Sequence, residues 1–288
     1  MRKIRVLHVE PTDVCQAACP LCARETNPDF NKSDANHHLR VEHIQRLYTE
    51  KQLKKLEKVF MCGVYGDPAA GKYTLDLYRY VRSLNPDVVL GMNSNGALQT
   101  TFWWHGLAEI MNQPKDYCVF SIDGLEDTNH IYRKNVNWEK LMANARAFIA
   151  NGGSAHWDML VYKHNQHQVD ACEQLARDLG FKWFRAKVSK RPMIKGLEAP
   201  INWQLPEGKP GAIKCHAIEE KSEYIDARGR KLPCCWLGNS IVDPVTDIEQ
   251  VKATWKTKTP YHACAVNCTA NKNRTRFEDQ WQREVNLV

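Results

Sequence analysis

Close to its start the chain reads Ile4-Arg5-Val6-Leu7-His8-Val9-Glu10-Pro11-Thr12-Asp13-Val14-Cys15-Gln16-Ala17-Ala18-Cys19-Pro20-Leu21-Cys22. The apolar first part predicts a β-strand, and the last part contains three cysteines in a C-x3-C-x2-C run. Three neighbouring thiolates can bind three irons of a 4Fe-4S cluster and leave the fourth iron without a protein ligand. A fully ligated cluster suits electron transfer or structure, so the spacing indicates a catalytic site.

This cysteine run resembles the signature of the radical S-adenosylmethionine (radical SAM) superfamily. The resemblance implies that Cys15, Cys19 and Cys22 hold the cluster and that its open iron binds the methionyl end of S-adenosylmethionine (SAM). It further implies that an electron from the reduced cluster cleaves SAM and releases a 5'-deoxyadenosyl radical. Leu21 departs from the family pattern, in which an aromatic residue usually precedes the third cysteine. A zinc knuckle or unconnected core cysteines are the alternatives, but zinc would need a fourth ligand nearby.

Length, charge and cysteine content limit the class of protein. A chain of 288 residues suits one large domain, or one domain with a small appendage. Its 11 cysteines, without a signal-peptide pattern, predict a reducing, cytoplasmic location without disulfides. No stretch approaches the ~18 apolar residues of a membrane span, so we expect no membrane partner. The net charge of +7 permits an anionic substrate without requiring one.

Apolar runs of strand length alternate with amphipathic runs of helical period along the first two thirds of the chain. The strand-like runs are residues 4–10, 59–63, 88–93, 117–123, 156–162 and 183–188. The helical runs are residues 43–56, 73–84, 103–111, 138–151 and 168–179. Such alternation predicts parallel strands joined by right-handed crossovers. We therefore expect an α/β fold, a partial (β/α)6 TIM-like barrel, over residues 1–190.

The last third of the chain contains a second set of cysteines. Residues 191–210 are rich in Pro and Gly and predict a linker, and residues 223–234 predict a short hairpin. Residues 271–288 predict a tail or a helix. Four thiolates are enough for one more 4Fe-4S cluster or for a structural zinc ion, and spacing alone leaves both open. Cys235 is a spare thiol, and the four predicted ligands are Cys215, Cys234, Cys264 and Cys268.

The region 211–270 resembles the SPASM/twitch appendage of radical SAM enzymes. A full SPASM domain has about seven cysteines and two clusters, and this chain lacks the additional C-x2-C-x5-C element. The resemblance therefore implies the shorter twitch form, with one auxiliary 4Fe-4S cluster. Gly229 and Cys234 fit its G-x4-C pattern.

Ligands of parallel α/β folds bind at the carboxyl ends of the strands, and polar stretches follow several predicted strands here. Residues 63–68 resemble the family's Gly-Gly-Glu-Pro motif, with Asp67 in place of Glu, and residues 93–96 resemble its ribose-side turn. Residues 121–124 with Arg133 resemble the element that holds the methionyl carboxylate, and residues 163–165 resemble a position near adenine. Each stretch alone is also an ordinary loop signal. The residues predicted to bind SAM are Tyr65, Gly66, Asp67, Asn93, Asn95, Ser121, Asp123, Arg133 and Asn165.

Together these observations predict a radical SAM enzyme of oxidoreductase or isomerase type that abstracts hydrogen from a substrate. The resemblance implies a small-molecule, peptide or nucleotide substrate and an electron donor such as flavodoxin or ferredoxin. The first strand starts almost at residue 1, so we expect no leader-peptide domain before it. One alternative is modification of a nucleotide or nucleic acid, because Trp103, Trp104, Trp138 and Trp157 are residues that can stack on bases. The other is a non-catalytic zinc or iron-sulfur adaptor. No catalytic side chain stands out.

Overall fold

The structure is a computed structural model, and it describes residues 3–189, 191, 193–201, 212–239, 245–257, 259–268 and 281–283. The chain forms two compact units. The first comprises Met1–Val14, Asn27–Leu90 and Pro206–Arg274, and the second comprises Cys15–Thr26, Gly91–Leu205 and Thr275–Val288.

The strands and helices of the described residues follow the predicted alternation. The strands are β1 Val6–Val9, β2 Lys58–Met61, β3 Val89–Ser94, β4 Tyr117–Ser121, β5 Ala155–Val161, β6 Trp183–Val188, β7 Ser222–Ile225, β8 Lys231–Leu232 and β9 Trp281–Arg283. The helices are α1 Ala23–Thr26, α2 Val41–Leu47, α3 Glu50–Leu53, α4 Thr74–Leu84, α5 Thr101–Ile110, α6 Glu126–Tyr132, α7 Trp138–Ala150, α8 Val169–Asp178, α9 His216–Glu219, α10 Ile248–Thr254 and α11 His262–Asn267. All six predicted strands are present, so the α/β class is confirmed.

In the first unit, strand β1 lies between two parallel neighbours. Val6 aligns with Lys58 of β2 on one side and with Ser222 of β7 on the other. The predicted hairpin forms, because β7 and β8 pair antiparallel. That β7 returns to pair with β1 was not predicted, since the contact joins residues more than two hundred positions apart.

The predicted helix over residues 43–56 is interrupted at Tyr48. This residue is extended, with φ −138 and ψ 138, and it ends α2. Thr49 then begins α3, and its side chain and Gln52 form a reciprocal capping box. The interruption directs the Tyr48 side chain into the core, where its hydroxyl donates to Glu223 at 2.6 Å.

In the second unit, strands β3 to β6 run parallel in sequence order and β9 pairs with β6. One face of this sheet carries buried aromatic side chains. Phe120 lies 5.0 Å from the ring of Trp104 in α5 and 6.0 Å from that of Phe148 in α7. Trp157 and Phe184 continue the same packing. Because side chains alternate along a strand, residues of the opposite sheet face stand one position away from these aromatics.

Parts of the predicted C-terminal organisation lie outside the described residues. These parts are residues 192 and 202–210 of the predicted linker and most of the predicted tail or helix over 271–288. The described residues of the tail form strand β9, which is held by its parallel pairing with β6. No helix in the described part of the chain combines the length and the apolar character that crossing a bilayer requires.

Candidate functional site

The three N-terminal cysteines lie on the loop that leads into α1. Cys19 is buried, and Cys15 and Cys22 are half-buried. Backbone bonds fix this loop, because the Ala18 N–H donates to the Lys134 carbonyl at 3.0 Å and the Cys22 N–H to the Cys19 carbonyl at 2.9 Å. The Arg191 guanidinium also donates to the Leu21 carbonyl. The loop is therefore anchored through its main chain.

Arg133 connects the cysteine loop to the end of strand β4. Its Nε donates to Asp123 Oδ2 at 2.6 Å, and a terminal nitrogen lies 3.9 Å from Cys19 Sγ. The Asp123 side chain is fully buried. Burial lowers the pKa of Arg133, but the charges of Asp123 and Cys19 outweigh burial and raise it above its ordinary value. A permanently charged guanidinium thus stands beside one predicted cluster ligand.

Two asparagines that were predicted to bind SAM lie at the end of strand β3, Asn93 within the strand and Asn95 just after it. The Asn95 amide lies 3.8 Å from Cys15 Sγ, and its Oδ1 accepts from Gln16 Nε2 at 2.7 Å. The Asn93 Oδ1 is buried and has no hydrogen-bond partner among the residues that the structure describes. An unsatisfied buried acceptor is rare in folded proteins and calls for an explanation. A bound polar ligand would satisfy it.

Asn165, predicted to touch SAM, is fully buried and braces a loop. Its amide donates to the carbonyls of Asp123 at 2.8 Å and Leu160 at 2.9 Å, and its Oδ1 accepts from the Tyr162 N–H at 2.7 Å. Both side-chain amide hydrogens of Asn165 are therefore used in bonds to backbone carbonyls, one of which belongs to Asp123. Direct contact of Asn165 with SAM stays a prediction.

In the first unit, residues 63–68 form a turn that depends on its glycines. A β-carbon on Gly66 would lie 1.9 Å from the Thr12 carbonyl oxygen, and one on Gly63 would lie 1.9 Å from the Gly66 oxygen. No other residue type permits these backbone approaches. Asp67 accepts from the Ala69 N–H at 2.9 Å and so begins a short helical turn. Tyr65 stacks on Phe30 at 4.3 Å, and its hydroxyl accepts from Asn27 at 2.6 Å.

Glu10 binds the backbone of this glycine turn, a role that was not predicted from the sequence. It lies directly after β1 and is 2 % exposed. Its carboxylate accepts from the backbone N–H groups of Tyr65 at 2.7 Å and Gly66 at 3.1 Å, and from the Tyr224 hydroxyl. A carboxylate at the carboxyl end of a buried strand is the signal that could have identified it. Burial raises the pKa of Glu10 to about 7.

We expect Glu10 to make the stability of the protein depend on pH. Folded Glu10 retains its proton up to about pH 7, against an ordinary pKa of 4.5, so the folded state binds the extra proton between these values. The contribution of Glu10 to the free energy of unfolding should therefore be largest below about pH 4.5 and fall by about 3 kcal/mol as pH rises through 7. Glu10→Gln should remove this decline. Urea unfolding of both proteins from pH 4.5 to 8 measures the difference, and parallel curves would contradict the prediction.

The four cysteines of the C-terminal set converge within the first unit. Cys215, Cys264 and Cys268 are buried, and Cys234 is half-buried. Cys264 and Cys268 stand four residues apart at helix α11, and the Lys214 N–H donates to the Cys268 carbonyl at 2.6 Å. Burial, with smaller contributions from the charges of Cys215 and Cys264, raises the pKa of Cys234 to about 11. The spare thiol, Cys235, interacts electrostatically with Cys62 and Glu10.

In the described part of the chain, no group of three or more His, Cys, Asp or Glu side chains has the spacing of a site for one metal ion. In a 4Fe-4S cluster each cysteine binds a different iron, so the sulfurs are spread more widely than around a single ion. The three-thiol loop and the charged Arg133 beside Cys19 fit a cluster that carries an anionic ligand. The residues present therefore fit the group that the cysteine pattern predicts.

Known structures share this fold at low sequence identity. SuiB of Streptococcus suis, solved with its precursor peptide SuiA, aligns with a TM-score of 0.60 and 14 % identity over 91 % of this chain. This chain spans 66 % of SuiB. The enzyme anSMEcpe with bound AdoMet aligns with a TM-score of 0.59 and 14 % identity, over 92 % of this chain and 88 % of its own. These alignments show the fold alone, an α/β fold consistent with the expected partial TIM-like barrel. Comparison with curated proteins finds no match.

A family model supplies the assignment that the alignments of structures cannot. The model described as "Radical SAM superfamily" matches residues 9–177, which is more than half of the chain and includes the cysteine loop and strands β2 to β5. Membership implies an enzyme that uses a 4Fe-4S cluster and SAM. On this match, joined to the three-cysteine loop, the chain belongs to the radical SAM superfamily.

Proposed function

We propose that Cys15, Cys19 and Cys22 hold a 4Fe-4S cluster at which the protein cleaves SAM and then abstracts hydrogen from a substrate. When bound, the cluster and SAM supply an electron and a 5'-deoxyadenosyl radical. The observation that carries this proposal is the position of Arg133, which is ion-paired with Asp123 and 3.9 Å from Cys19 Sγ. A guanidinium there can bind the SAM carboxylate while Asp123 holds it in place.

The other polar residues of the second unit have related roles in this proposal. Asn95 lies beside Cys15, and the buried Oδ1 of Asn93 has no hydrogen-bond donor among the described residues. Ser121 ends strand β4 and stands two residues before Asp123. These side chains orient SAM through hydrogen bonds and keep water from the reactive atoms. Binding of SAM by Tyr65, Gly66 and Asp67 is part of the same proposal.

We further propose that Cys215, Cys234, Cys264 and Cys268 bind one auxiliary 4Fe-4S cluster in a twitch-like domain. The mutual electrostatic influence of Cys234, Cys215 and Cys264, and the placement of Cys268 one helical turn from Cys264, support this assignment. A fully thiolate-ligated cluster suits electron transfer. The auxiliary cluster would therefore accept an electron from the substrate radical, and the net reaction would be an oxidation.

Iron content tests the auxiliary cluster. After anaerobic reconstitution we expect about eight irons per chain, and about four in a Cys264→Ala/Cys268→Ala variant, because each cluster contains four. The variant should still form 5'-deoxyadenosine from SAM under reduction. A Cys118→Ala/Cys172→Ala variant, which removes two buried packing thiols, is the matched control and should keep the full iron content. Stoichiometric zinc with no SAM cleavage would instead support the adaptor alternative.

Peptides are the first substrates to test. SuiB was solved with a precursor peptide, and anSMEcpe was solved with AdoMet and a peptide. The nucleic-acid alternative has less support, because Trp104 and Trp157 are at most 1 % exposed and pack in the core. Reduction by flavodoxin or ferredoxin belongs to the proposal, as does a cytoplasmic location, which the eleven free cysteines favour.

A further inference from the structure

Three charged side chains form a cluster on strands β5 and β6. Asp158 accepts from Arg185 Nε and from Lys187 Nζ, each at 2.6 Å. The side chain of Asp158 is 14 % exposed, that of Arg185 13 % and that of Lys187 27 %, so solvent still reaches all three. We refer to Asp158, Arg185 and Lys187 as the charged triad.

The strand register places the charged triad on the sheet face opposite the aromatic side chains. Asp158 aligns with Arg185 on one side and with Ser121 on the other. Lys187 follows Arg185 by two residues and therefore shares its face, one position before the carboxyl end of β6. In parallel α/β sheets, ligands bind near this end of the strands. Asp158 of the charged triad is thus in register with Ser121, a residue of the proposed SAM site.

The charged triad carries a net positive charge. Burial raises the pKa of Asp158, but Lys187 and Arg185 outweigh burial and hold it below its ordinary value, so one carboxylate faces two cations. Asp123 also interacts with Asp158, but Arg133 neutralises it. Counted by itself, the charged triad therefore has two cations for one carboxylate.

Stability alone does not account for this arrangement. Strands inside parallel sheets are usually continuous apolar runs. In β6, by contrast, buried apolar residues alternate with the half-buried Trp183, Arg185 and Lys187, and two of these three are charged. Buried ion pairs often stabilise a fold less than apolar residues of the same volume would. Ammonium and guanidinium groups arranged around one point are, however, a common receptor for an oxyanion.

We propose that Arg185 and Lys187 bind an oxyanion group of the substrate, a carboxylate or a phosphate, and that Asp158 pairs with both cations until the substrate binds. This inference rests on the proposed function, because it assumes that the sheet face beside Ser121 receives the substrate. The ammonium of Lys187 has three donors, one of which reaches Asp158. The substrate is therefore an acidic peptide or an anionic small molecule.

Inorganic phosphate and acetate are the probes. The melting temperature of the cluster-loaded protein is measured against each anion at constant ionic strength, which gives an apparent Kd. We expect saturable stabilisation, and a Kd for the preferred anion at least about tenfold higher in Lys187→Met and Arg185→Met, since each removes a charge-assisted hydrogen bond. The preferred anion indicates which oxyanion the substrate carries. Lys182→Met removes an exposed lysine one residue before β6 and should behave as wild type.

Asp158→Asn separates binding from folding. This variant removes the carboxylate that competes for both cations, so we expect tighter anion binding even if the protein is less stable without anion. Lys187→Arg should retain most of the binding. Equal anion responses in wild type, Lys187→Met and Lys182→Met would overturn the proposal, as would weaker binding in Asp158→Asn.

A last measurement distinguishes the substrate from SAM as the source of the oxyanion. If SAM competes with phosphate or acetate, the charged triad binds the SAM carboxylate, and the substrate assignment is wrong. If SAM leaves the anion Kd unchanged, the assignment stands. A protein that binds the anion at the charged triad but never cleaves SAM would contradict the proposed function and leave the oxyanion site intact.

Discussion

Replacing Cys15, Cys19 and Cys22 together by alanine is expected to abolish the formation of 5'-deoxyadenosine completely. Without these thiolates the chain has no ligands for the cluster at this loop, and SAM has no open iron to bind. The auxiliary absorbance should persist, because the proposed ligands of the second cluster belong to a separate compact unit. Chromatography of reduced reaction mixtures measures the nucleoside, and iron analysis should give about four irons per chain.

Two controls protect this experiment from misinterpretation. The Cys118→Ala/Cys172→Ala variant removes the same type of side chain from buried packing positions and should still produce the nucleoside. Urea unfolding of the triple variant shows whether it remains folded. Deoxyadenosine production by the folded triple variant would disprove the assignment of the loop as the site of SAM cleavage.

Arg133→Met is expected to lower the free energy of unfolding by about 3–5 kcal/mol, because it leaves the buried Asp123 carboxylate without its partner. The same change should prevent SAM binding, since the guanidinium beside Cys19 would be gone. Urea unfolding measures the first effect, and equilibrium dialysis of SAM with the cluster-loaded protein measures the second.

The Arg133→Met/Asp123→Asn double variant distinguishes the two effects. An asparagine can still accept the Leu160 N–H bond that Asp123 Oδ1 receives at 2.6 Å, but it leaves no buried charge. We therefore expect most of the stability to return while SAM affinity stays low. Recovery of SAM binding in the double variant would show that Arg133 acts only through folding and would remove it from the SAM site.

The experiments on Glu10 and on the charged triad complement these two because they do not depend on turnover. Glu10 acts through the backbone of Tyr65 and Gly66, so its variant changes the pH dependence of stability. The charged triad is tested by anion binding. A substrate search that starts from acidic peptides follows from both the proposed function and the charge of the triad.

Local sequence patterns were sufficient for the strands and for most helices. Each run of strand length became a strand that pairs in parallel with a neighbour in its own unit, because the apolar side chains of each run are buried wherever the strand packs. The helix predicted over residues 43–56 was the exception, since Tyr48 gains a buried hydrogen bond to Glu223 that no local pattern contains. The cysteine loop could also be predicted as a candidate cluster site, because its three thiols are neighbours in the sequence.

By itself, then, the sequence determined the α/β class, the strand order along the chain, the glycine turn and the three N-terminal candidate cluster ligands, all of which depend on residues close together in the chain. Only the tertiary structure decided that β7 pairs with β1, that Glu10 holds the backbone of Tyr65 and Gly66, and that Arg133 joins Asp123 to Cys19. It also assembled Asp158, Arg185 and Lys187. The reason is that hydrogen bonds and ion pairs act through distances in space, and those distances are defined only once distant segments have packed.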